Sequence, residues 1–386
     1  MDAQTTSASR PAAASTDLPA GLRVAFLTPC YWPEVRRGGE RLVHELSAEL
    51  LHRGHRPRIV TSHRGRPTRS VEDGVEIIRH WRPPDGRLRR RRFEDHLTHV
   101  PLSYLSLVTG DDHIVQALHV TDGLAAARWS ARTGRPSVLT HLGLADRYWL
   151  REARRRLEIT NAAASGCTAV TAVSRHAAAT FMRWLGIDAR AIYPPVDMDR
   201  FRPCAERAQA PTIFCAAPAD QRHKRVGLLV EAFRHVRRDR PEARLVLLRP
   251  ADPRLAQALQ SNADGVDLID NEAALLPQAY SRAWVTTLTS IGEAFGLVLA
   301  ESLACGTPVV GSRHGGIPEI VDGPAVGRIF MDDDPAAIAR TLVEALELCG
   351  DDGTTEACRR RAEAFSTGRC VEAHERLYAE LLMRTG

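Results

Sequence analysis

Short apolar runs alternate with amphipathic segments along most of the chain. The run LRVAFLTP at 22–29 is apolar at nearly every position, which is typical of a strand buried on both faces of a parallel sheet. A Gly-Gly loop follows, and then ERLVHELSAELLHRG at 40–54, whose apolar positions share one helical face. Because RPRIVTS at 56–62 predicts a second strand, the chain opens with a β-α-β unit.

The same alternation occurs twice, on either side of a stretch rich in Pro and charge at 193–211 that is typical of a linker. Before it, the pattern predicts strands at 113–118, 136–143 and 167–174 and helices at 121–132, from about 145, and at 174–186. After it, the pattern predicts strands at 211–217, 243–250, 283–290 and 307–312 and a helix at 227–238. Two such series predict an α/β fold of two doubly wound, Rossmann-like domains facing a central cleft, with ligands at the carboxyl ends of the strands.

These patterns set the expected boundaries of the parts of the chain. Residues 1–20 are mostly Ala, Ser, Thr and Pro and are expected to form a disordered tail rather than a secretory signal. The expected parts that follow are an N-terminal domain at 21–200, a linker at 201–211, a C-terminal domain at 212–369 and a last helix at 370–386.

Composition excludes several classes of protein. The 386 residues are 44% hydrophobic and 26% charged, which is ordinary globular composition. No apolar run reaches the roughly 20 residues that a membrane-spanning helix needs. The net charge of +5, the 5% aromatic content and the lack of zinc-ligand spacing do not support nucleic-acid binding. Eight cysteines without a C-x-x-C pair indicate reduced, structural cysteines in a cytoplasmic protein, with no metal site.

The densest group of candidate functional residues lies in SIGEAFGLVLAESLACGTPVVGSRHGGIPEIV at 290–321. Glu293 and Glu301 flank a point where a loop enters a helix, near Phe295, Gly296 and Leu297. Backbone N–H groups at a helix start form a site suited to a diphosphate. The two carboxylates could accept hydrogen bonds from a sugar and a ribose. The alternative is that both glutamates are solvated helix residues.

The stretch EAFGLVLAESLACGTPVVGSRHGGIPEIV resembles the signature of retaining glycosyltransferases of the GT-B architecture, specifically family 4 (group 1 type). FLTPCYWPEVRRGGERLVHELSAELLHRGHRP and the exit sequence YPPVDMDRFRP are also similar to this family. The resemblance implies a bacterial, metal-independent, hexosyltransferase-type enzyme. It would move a sugar from a nucleoside diphosphate donor to an acceptor hydroxyl with retention and no cofactor. It also implies that the last helix packs back on the N-terminal domain.

The resemblance also implies roles for residues in both domains. Glu293 falls where the family contacts the donor sugar, and Glu301 where it holds the nucleotide ribose. The amides of Phe295, Gly296 and Leu297 fall where the donor's phosphates bind.

Two further positions of the resemblance lie in the N-terminal domain. Gly38 and Gly39 fall on the loop that closes over the diphosphate, although a plain turn is the alternative. His141, in LTHLG, falls near the donor sugar or the reaction centre, although a core histidine is the alternative. His119, in ALHVTD, is a weaker case of the same kind.

One family element is missing from the start of the C-terminal domain. Lys224 matches the expected lysine and is the single lysine among the 52 basic residues. A Gly-Arg pair is absent, because Pro218 and Ala219 stand where it belongs. We expect Arg249, at the end of the neighbouring strand, or else Arg222 to supply the lost guanidinium, unless both are surface arginines.

The basic run GRLRRRRFEDHL at 86–97 precedes an apolar segment. Residues 86–109 could contact anionic lipid at the inner membrane face, or the phosphates of a lipid-linked acceptor. The alternative is an arginine-rich surface loop. The acceptor is expected to be a small molecule, a glycan or a lipid-linked molecule, and the donor a UDP-sugar or GDP-sugar. A GT-B sugar-nucleotide epimerase and a non-catalytic sugar-nucleotide-binding protein remain alternatives.

Overall fold

The structure is a computed structural model that describes residue 18 and residues 21–35, 38–84, 86, 90–351 and 353–385. Almost all of the tail expected at 1–20 lies outside the described residues, as do residues 87–89 of the basic run. The described residues form two α/β domains, each built around one mainly parallel sheet.

The N-terminal domain has an eight-stranded sheet in the order β3-β4-β2-β1-β5-β6-β7-β8. Every neighbouring pair is parallel except β3 and β4. Its strands are β1 (Arg23–Leu27), β2 (Arg56–His63), β3 (Thr68–Glu72), β4 (Val75–Trp81), β5 (Ile114–Ala117), β6 (Ser137–His141), β7 (Ala169–Ala172) and β8 (Arg190–Ala191). Its helices are α1 (Gly38–His52), α2 (Val100–Val108), α3 (Val120–Thr133), α4 (Arg147–Glu152), α5 (Arg156–Gly166) and α6 (Arg175–Leu185).

The C-terminal domain has a six-stranded, fully parallel sheet in the order β11-β10-β9-β12-β13-β14. Its strands are β9 (Thr212–Cys215), β10 (Arg244–Leu248), β11 (Val266–Ile269), β12 (Val285–Leu288), β13 (Val309–Ser312) and β14 (Gly327–Phe330). Its helices are α7 (Val226–Asp239), α8 (Pro253–Asn262), α9 (Leu276–Arg282), α10 (Leu297–Ala304), α11 (Pro335–Leu346) and α12 (Thr354–Ala362). The last helix is α13 (Thr367–Thr385), and short 3-10 turns lie at Leu97–His99, Arg222–Lys224, Ile317–Glu319, Glu347–Gly350 and Glu363–Phe365.

The predicted fold class is confirmed, because each apolar run became a central parallel strand. Strands β5, β6, β9 and β12 are buried at every position, as strands covered by helices on both faces must be. Helix α6 begins where Ser174 accepts a hydrogen bond from the backbone of Ala177, and it ends at Gly186, whose φ is +66°.

Two local features differ from the predicted pattern. The helix expected from about 145 is two helices, α4 and α5, separated by Arg155 in the left-handed region with a φ of 61°. The antiparallel pair β3–β4 was not predicted, because β3 is an exposed edge strand without an apolar run.

Helix α13 lies on the N-terminal domain, although the chain reaches it from the C-terminal domain. Its apolar face joins the buried cluster of α1 and β1, through Val371 and Leu381 among others. The chain crosses between domains at two adjacent points, because Val196 and Ser366 form a β-bridge. The carboxyl ends of both central sheets border the cleft next to these crossings.

Candidate functional site

Lys224 and Glu293, which the sequence places 69 residues apart, form an ion pair in the C-terminal domain. Lys224 Nζ donates to Glu293 Oε2 at 2.6 Å. Both side chains are mostly buried, with exposed fractions of 17% and 15%. A cation suited to a phosphate and a carboxylate suited to a sugar hydroxyl are therefore neighbours, which matches the sugar–diphosphate junction of a donor.

The turn that carries Lys224 is fastened to the strand end that carries Glu293. The hydroxyl of Thr289 donates to the Lys224 carbonyl at 3.0 Å, and the backbone N–H of Ile291 donates to the His223 carbonyl at 2.9 Å. Arg225 adds a third link, because its Nε donates to the Thr289 carbonyl at 2.7 Å. These bonds hold the lysine at the carboxyl edge between β9 and β12.

The loop between Glu293 and α10 is held by a close backbone approach. A Cβ added to Gly315 would lie 2.0 Å from the Glu293 carbonyl oxygen, and one added to Gly316 would lie 2.4 Å from that of Ala294. Only glycine fits at these two positions, which accounts for the Gly-Gly pair in the stretch at 290–321.

Gly296 starts α10 with a φ of +104° and no side-chain cap. The first amides of this helix therefore receive no side-chain acceptor from the capping position, although the Leu299 N–H donates to the Gly296 carbonyl at 2.8 Å. The two amides before it, of Leu297 and Val298, suit an anion at the predicted diphosphate site.

The side chain of Phe295 is buried against Tyr193 and Phe365, with ring centroids 5.5 and 5.2 Å apart. Phe295 therefore fixes the loop with its ring and leaves only its backbone for a ligand.

Glu301 is engaged by both domains. Its side chain is 2% exposed and accepts from the Tyr280 hydroxyl at 2.8 Å. Arg41, in helix α1 of the N-terminal domain, forms an ion pair with its other oxygen. A ribose that uses Glu301 must therefore displace Arg41 or share the carboxylate with it. Sequence reasoning missed Tyr280 and Arg41 as partners of Glu301. For Arg41 the reason is that one arginine among 51 carries no distinguishing signal.

The titration of this network follows from its burial. Burial and the neighbouring Glu301 raise the pKa of Tyr280 well above its ordinary value. Burial also raises the pKa of Glu45 to about 7, although Arg41 opposes that shift from 3.4 Å away. Arg41 is thus held by one buried carboxylate, Glu301, and contacts a second that takes up protons near neutrality.

Gly39 lies beside the end of β6, because a Cβ there would approach Leu142 to 2.6 Å, whereas Gly38 faces open space. Both glycines are the first residues of helix α1 rather than the loop residues that the sequence had suggested. The start of α1 and His141 are therefore brought to one corner of the cleft. The imidazole of His141 packs edge-on against Trp149 and Phe181, with ring centroids 4.8 and 5.1 Å away. Burial lowers the pKa of His141 to about 3, so the ring is neutral at physiological pH.

The surroundings of His141 agree in part with a core histidine and in part with a histidine that contacts a ligand. Its enclosure by two aromatic rings is that of a core histidine. Its Nε2 is buried and has no hydrogen bond partner among the described residues. His119 is instead a capping residue at the start of α3, where its Nδ1 accepts from Thr121.

Arg249 does not supply the missing guanidinium in this conformation. Its Nε donates to Asp270 at 3.0 Å and its NH2 group donates to the Leu268 carbonyl at 3.2 Å. Both partners belong to the β11 side of β10, whereas Lys224 lies on the β9 side. These contacts do not favour Arg249, which the sequence analysis had placed first, and its role stays a prediction. Arg222 is exposed in the same turn as Lys224 and pairs with no carboxylate among the described residues.

The described part of the basic run lies at the surface of the N-terminal domain. Arg90 Nε donates to the Gly86 carbonyl at 3.2 Å. In the helix that follows, Leu105 and Val108 are 55% and 36% exposed. This combination of cations and exposed apolar side chains is what the membrane hypothesis for 86–109 requires.

The described residues contain neither a helix suited to span a membrane nor a metal-binding cluster. No helix there is both long and apolar enough to cross a bilayer. Likewise, no group of three or more His, Cys, Asp or Glu side chains could hold a metal ion.

Comparison with known families places two models along the chain. The model described as Glycosyltransferase Family 4 matches residues 36–200, and the model described as Glycosyl transferases group 1 matches residues 210–348. The first match covers most of the N-terminal domain, and the second covers most of the C-terminal domain with Lys224, Glu293 and Glu301.

Among curated proteins, D-inositol 3-phosphate glycosyltransferase of Salinispora arenicola is 32% identical over 234 residues, covering 50% of each chain. N-acetyl-alpha-D-glucosaminyl L-malate synthase of Bacillus anthracis is 33% identical over 118 residues, covering 29% of each chain. The chain spans about half the length of the D-inositol 3-phosphate glycosyltransferases of Salinispora arenicola and Saccharomonospora viridis.

Solved structures share the fold at low sequence identity. Sucrose-phosphate synthase from Thermosynechococcus elongatus superposes with a TM-score of 0.77 at 20% identity, over 94% of this chain and 100% of the other. Anabaena HepE in complex with UDP-glucose superposes with a TM-score of 0.69 at 15% identity, over the same shares. These likenesses identify the two-domain fold as GT-B.

Proposed function

Because this chain belongs to the group 1 glycosyltransferases of glycosyltransferase family 4, we propose that it transfers a sugar from a nucleoside diphosphate donor to an acceptor hydroxyl. The proposed reaction retains the configuration at the anomeric carbon and uses no metal. The observation that carries the proposal is the contact of Lys224 with Glu293 beside the uncapped start of α10. A cation, a carboxylate and helix-start amides meet in one place, which supports binding of the junction between a diphosphate and a sugar.

The proposed chemistry depends on stabilising a leaving group. As the anomeric bond breaks, negative charge develops on the diphosphate. Lys224, the first amides of α10 and the start of α1 at Gly38 and Gly39 would receive it, and Arg222 would add a guanidinium. Such donors are fixed before the reaction, so they stabilise the transition state without reorganising. The departing phosphate could then take the acceptor's proton on the face that it leaves, which accounts for retention without a dedicated base.

Glu293 and Glu301 would divide the recognition of the donor. Glu293 would hold hydroxyls of the reacting sugar, and the Lys224 ammonium that it now neutralises would turn to the phosphate. Glu301 would hold the ribose once Arg41 yields. UDP-glucose is the first donor to test, because Anabaena HepE shares the fold and has been solved with it.

The decisive experiment compares Glu293→Gln with Glu301→Gln. Loss of Glu293 should lower kcat, because it acts at the reacting sugar, whereas loss of Glu301 should mainly raise the KM for the donor. Donor binding, measured by thermal shift with UDP-, GDP-, ADP- and TDP-sugars, should precede the kinetics. A saturating donor stabilises a protein by about 2.7 kcal/mol at one hundred times its dissociation constant. Equal, small effects from both variants would exclude these roles.

The two other functions are distinguished by their products. A sugar-nucleotide epimerase would give a new sugar-nucleotide isomer without acceptor, and a non-catalytic binding protein would bind donor without transfer or slow hydrolysis. Transfer of labelled sugar to an acceptor, with the product's anomeric configuration read by NMR, excludes both.

We also propose a cytoplasmic enzyme that touches an anionic membrane through residues 86–109. The exposed Leu105 and Val108 next to the basic run support this contact. Arg90→Ser/Arg91→Ser should weaken sedimentation with anionic vesicles and leave donor binding unchanged. Equal sedimentation of this variant and the parent would contradict membrane contact and favour an arginine-rich surface loop.

A further inference from the structure

A groove of about 1360 Å³ opens on the N-terminal domain between helices α4 and α6. Its walls carry four arginines and three large aromatic side chains, which are Arg92, Arg147, Arg151, Arg183, Tyr148, Trp149 and Trp184. Apart from Arg92, which belongs to the basic run at 86–97, none of these residues had a role in the sequence analysis.

The inner end of the groove adjoins the candidate reaction centre. Trp149, in its wall, contacts the ring of His141 at 4.8 Å. At the start of α6 the hydroxyl of Ser174 donates to the Ala294 carbonyl at 2.6 Å, one residue from Glu293. The groove extends along α6 from His176 to Trp184, about 12 Å at 1.5 Å per residue. A ligand lying in it would reach the donor site with one end.

The groove is positively charged and its arginines lack carboxylate partners. Among the described residues, Arg147, Arg151 and Arg183 form no ion pair, and the guanidinium of Arg92 donates to the Glu152 backbone carbonyl at 3.0 Å. The two acids in the wall are already engaged. Asp146 caps α4 by accepting from the Trp149 amide at 2.8 Å, and Glu152 pairs with Arg156 at 2.8 Å. Several uncompensated guanidinium groups on one concave surface attract an anion.

Two aromatic side chains of the groove have exposed faces. Tyr148 is 86% exposed and Trp184 is 39% exposed. The guanidinium of Arg183 lies 5.2 Å from the Trp184 ring centroid and steadies that ring. Rigid aromatic rings provide flat apolar faces for ring-shaped ligands, including the C–H faces of sugars. A concave wall of this shape suits a chain of rings better than a flat bilayer surface.

We propose that this groove binds the acceptor and that the acceptor is an anionic saccharide. Its phosphate or carboxylate groups would bind Arg147 and Arg151, and its rings would stack on Tyr148 and Trp184. The inner hydroxyl would then lie near His141 and Glu293. This inference rests on the proposed glycosyltransferase function for its chemistry but not for its binding test.

The test measures binding without donor. The probes are a carboxylate-bearing hexagalacturonate, a phosphorylated maltohexaose and neutral maltohexaose, with affinity read by calorimetry at two salt concentrations. The parent should bind at least one anionic probe roughly tenfold or more tightly than the neutral one, and salt should weaken that binding. The two anionic probes distinguish a carboxylate acceptor from a phosphate acceptor.

The critical variant is Arg147→Ser/Arg151→Ser, and Arg64→Ser/Arg66→Ser is its matched control. Both remove two exposed arginines from the N-terminal domain. The groove variant should bind the preferred anionic probe at least tenfold more weakly, while the control binds as the parent does. Tyr148→Ala, at a highly exposed position, should weaken anionic and neutral probes by the same factor.

The outcomes separate this proposal from the proposed function. Equal affinity of parent and groove variant, or no preference for an anionic probe, overturns the groove proposal even when sugar transfer is observed. Loss of anionic-vesicle binding in the groove variant, without saccharide binding by the parent, identifies a membrane surface and also overturns it. Anionic saccharide binding that depends on Arg147 and Arg151 supports the groove even if no donor is turned over.

Discussion

The two sides of the cleft hold their charges in different ways. In the C-terminal domain, Glu293 pairs with Lys224, and Glu301 is held by Tyr280 and by Arg41 from across the cleft. In the groove of the N-terminal domain, Arg147 and Arg151 have no carboxylate partners among the described residues. A site with internally balanced charge is organised before its ligand arrives, whereas an unbalanced one depends on the ligand's charge. We therefore expect mutations on the first side to affect folding and turnover, and mutations on the second to affect binding.

The largest effect should come from breaking the contact between the two sides. Arg41→Met leaves the buried Glu301 carboxylate without its counter-ion, which should lower the free energy of unfolding by about 3–5 kcal/mol. Adding Glu301→Gln removes the unpaired charge and should restore much of this loss. Denaturant unfolding of the two single variants and the double variant measures the coupling. Small, additive losses would show that the pair does not hold the domains.

The next effect concerns turnover. Lys224→Ala should lower kcat roughly 10²–10³-fold, the scale of one transition-state donor, because the leaving diphosphate loses its nearest ammonium. Arg340→Ala removes an equal charge from the exposed surface of the same domain and should leave kcat unchanged. A kcat within twofold of the parent for Lys224→Ala would remove the lysine from the mechanism.

Within the donor side, Arg222 and Arg249 can be compared as replacements for the missing guanidinium. Arg222→Ala should lower kcat roughly 10²-fold, the lower end of that scale, because its side chain is exposed before the donor binds. Arg249→Ala should change stability by no more than about 1 kcal/mol and leave kcat unaffected, since its exposed pair with Asp270 lies on the β11 side. The reverse pattern of rates would restore Arg249 as the phosphate ligand.

The last effect is smallest for a change of a single pH unit, and it concerns the N-terminal side. Burial lowers the pKa of His141 to about 3 and that of His374 to about 4, whereas an unfolded histidine titrates near 6.5. The unfolded chain therefore binds more protons as pH falls below about 6.5. As the pH falls below about 6.5, each histidine should lower the free energy of unfolding by up to about 1.4 kcal/mol per pH unit. The loss ends when the pH reaches the pKa of that histidine in the folded protein.

Substitution of His374 tests its contribution to the pH dependence of stability. His374→Leu should reduce the slope of stability against pH between about pH 6 and 4, and His52→Leu, at an exposed position, should not. Unfolding free energies measured at several pH values in that interval decide the outcome. An unchanged slope in His374→Leu would show that this histidine does not titrate on unfolding.

Hydrophobic pattern and local motifs could predict most of the fold and of the donor side. Strands such as β1 and β12 were predictable because burial on both faces requires uninterrupted apolar runs. Lys224 and Glu293 were identified because each of them lies within a continuous sequence motif of its own. Their contact, however, is a tertiary fact, since 69 residues separate them.

The remainder had no local signal. Strand β3 is an exposed edge strand, so its residues carry no apolar periodicity. Arg41 and the groove arginines look like any others in a chain with 51 arginines. Only the fold shows which of these cations have partners, because partnership depends on elements that meet from distant parts of the chain.

The position of α13 has a consequence for the order in which the protein forms. Gln116, fully buried in the central strand β5, bonds to Tyr378 and to His374, whose Nε2 lies 3.2 Å from the Gln116 amide nitrogen. These partners are made 258 or more residues later, which at ribosomal speeds is on the order of 10–50 s. For that time the sheet has an open flank with polar and apolar groups uncovered. The first domain to be synthesised is therefore the last to be covered, and the groups left uncovered during synthesis expose it to aggregation.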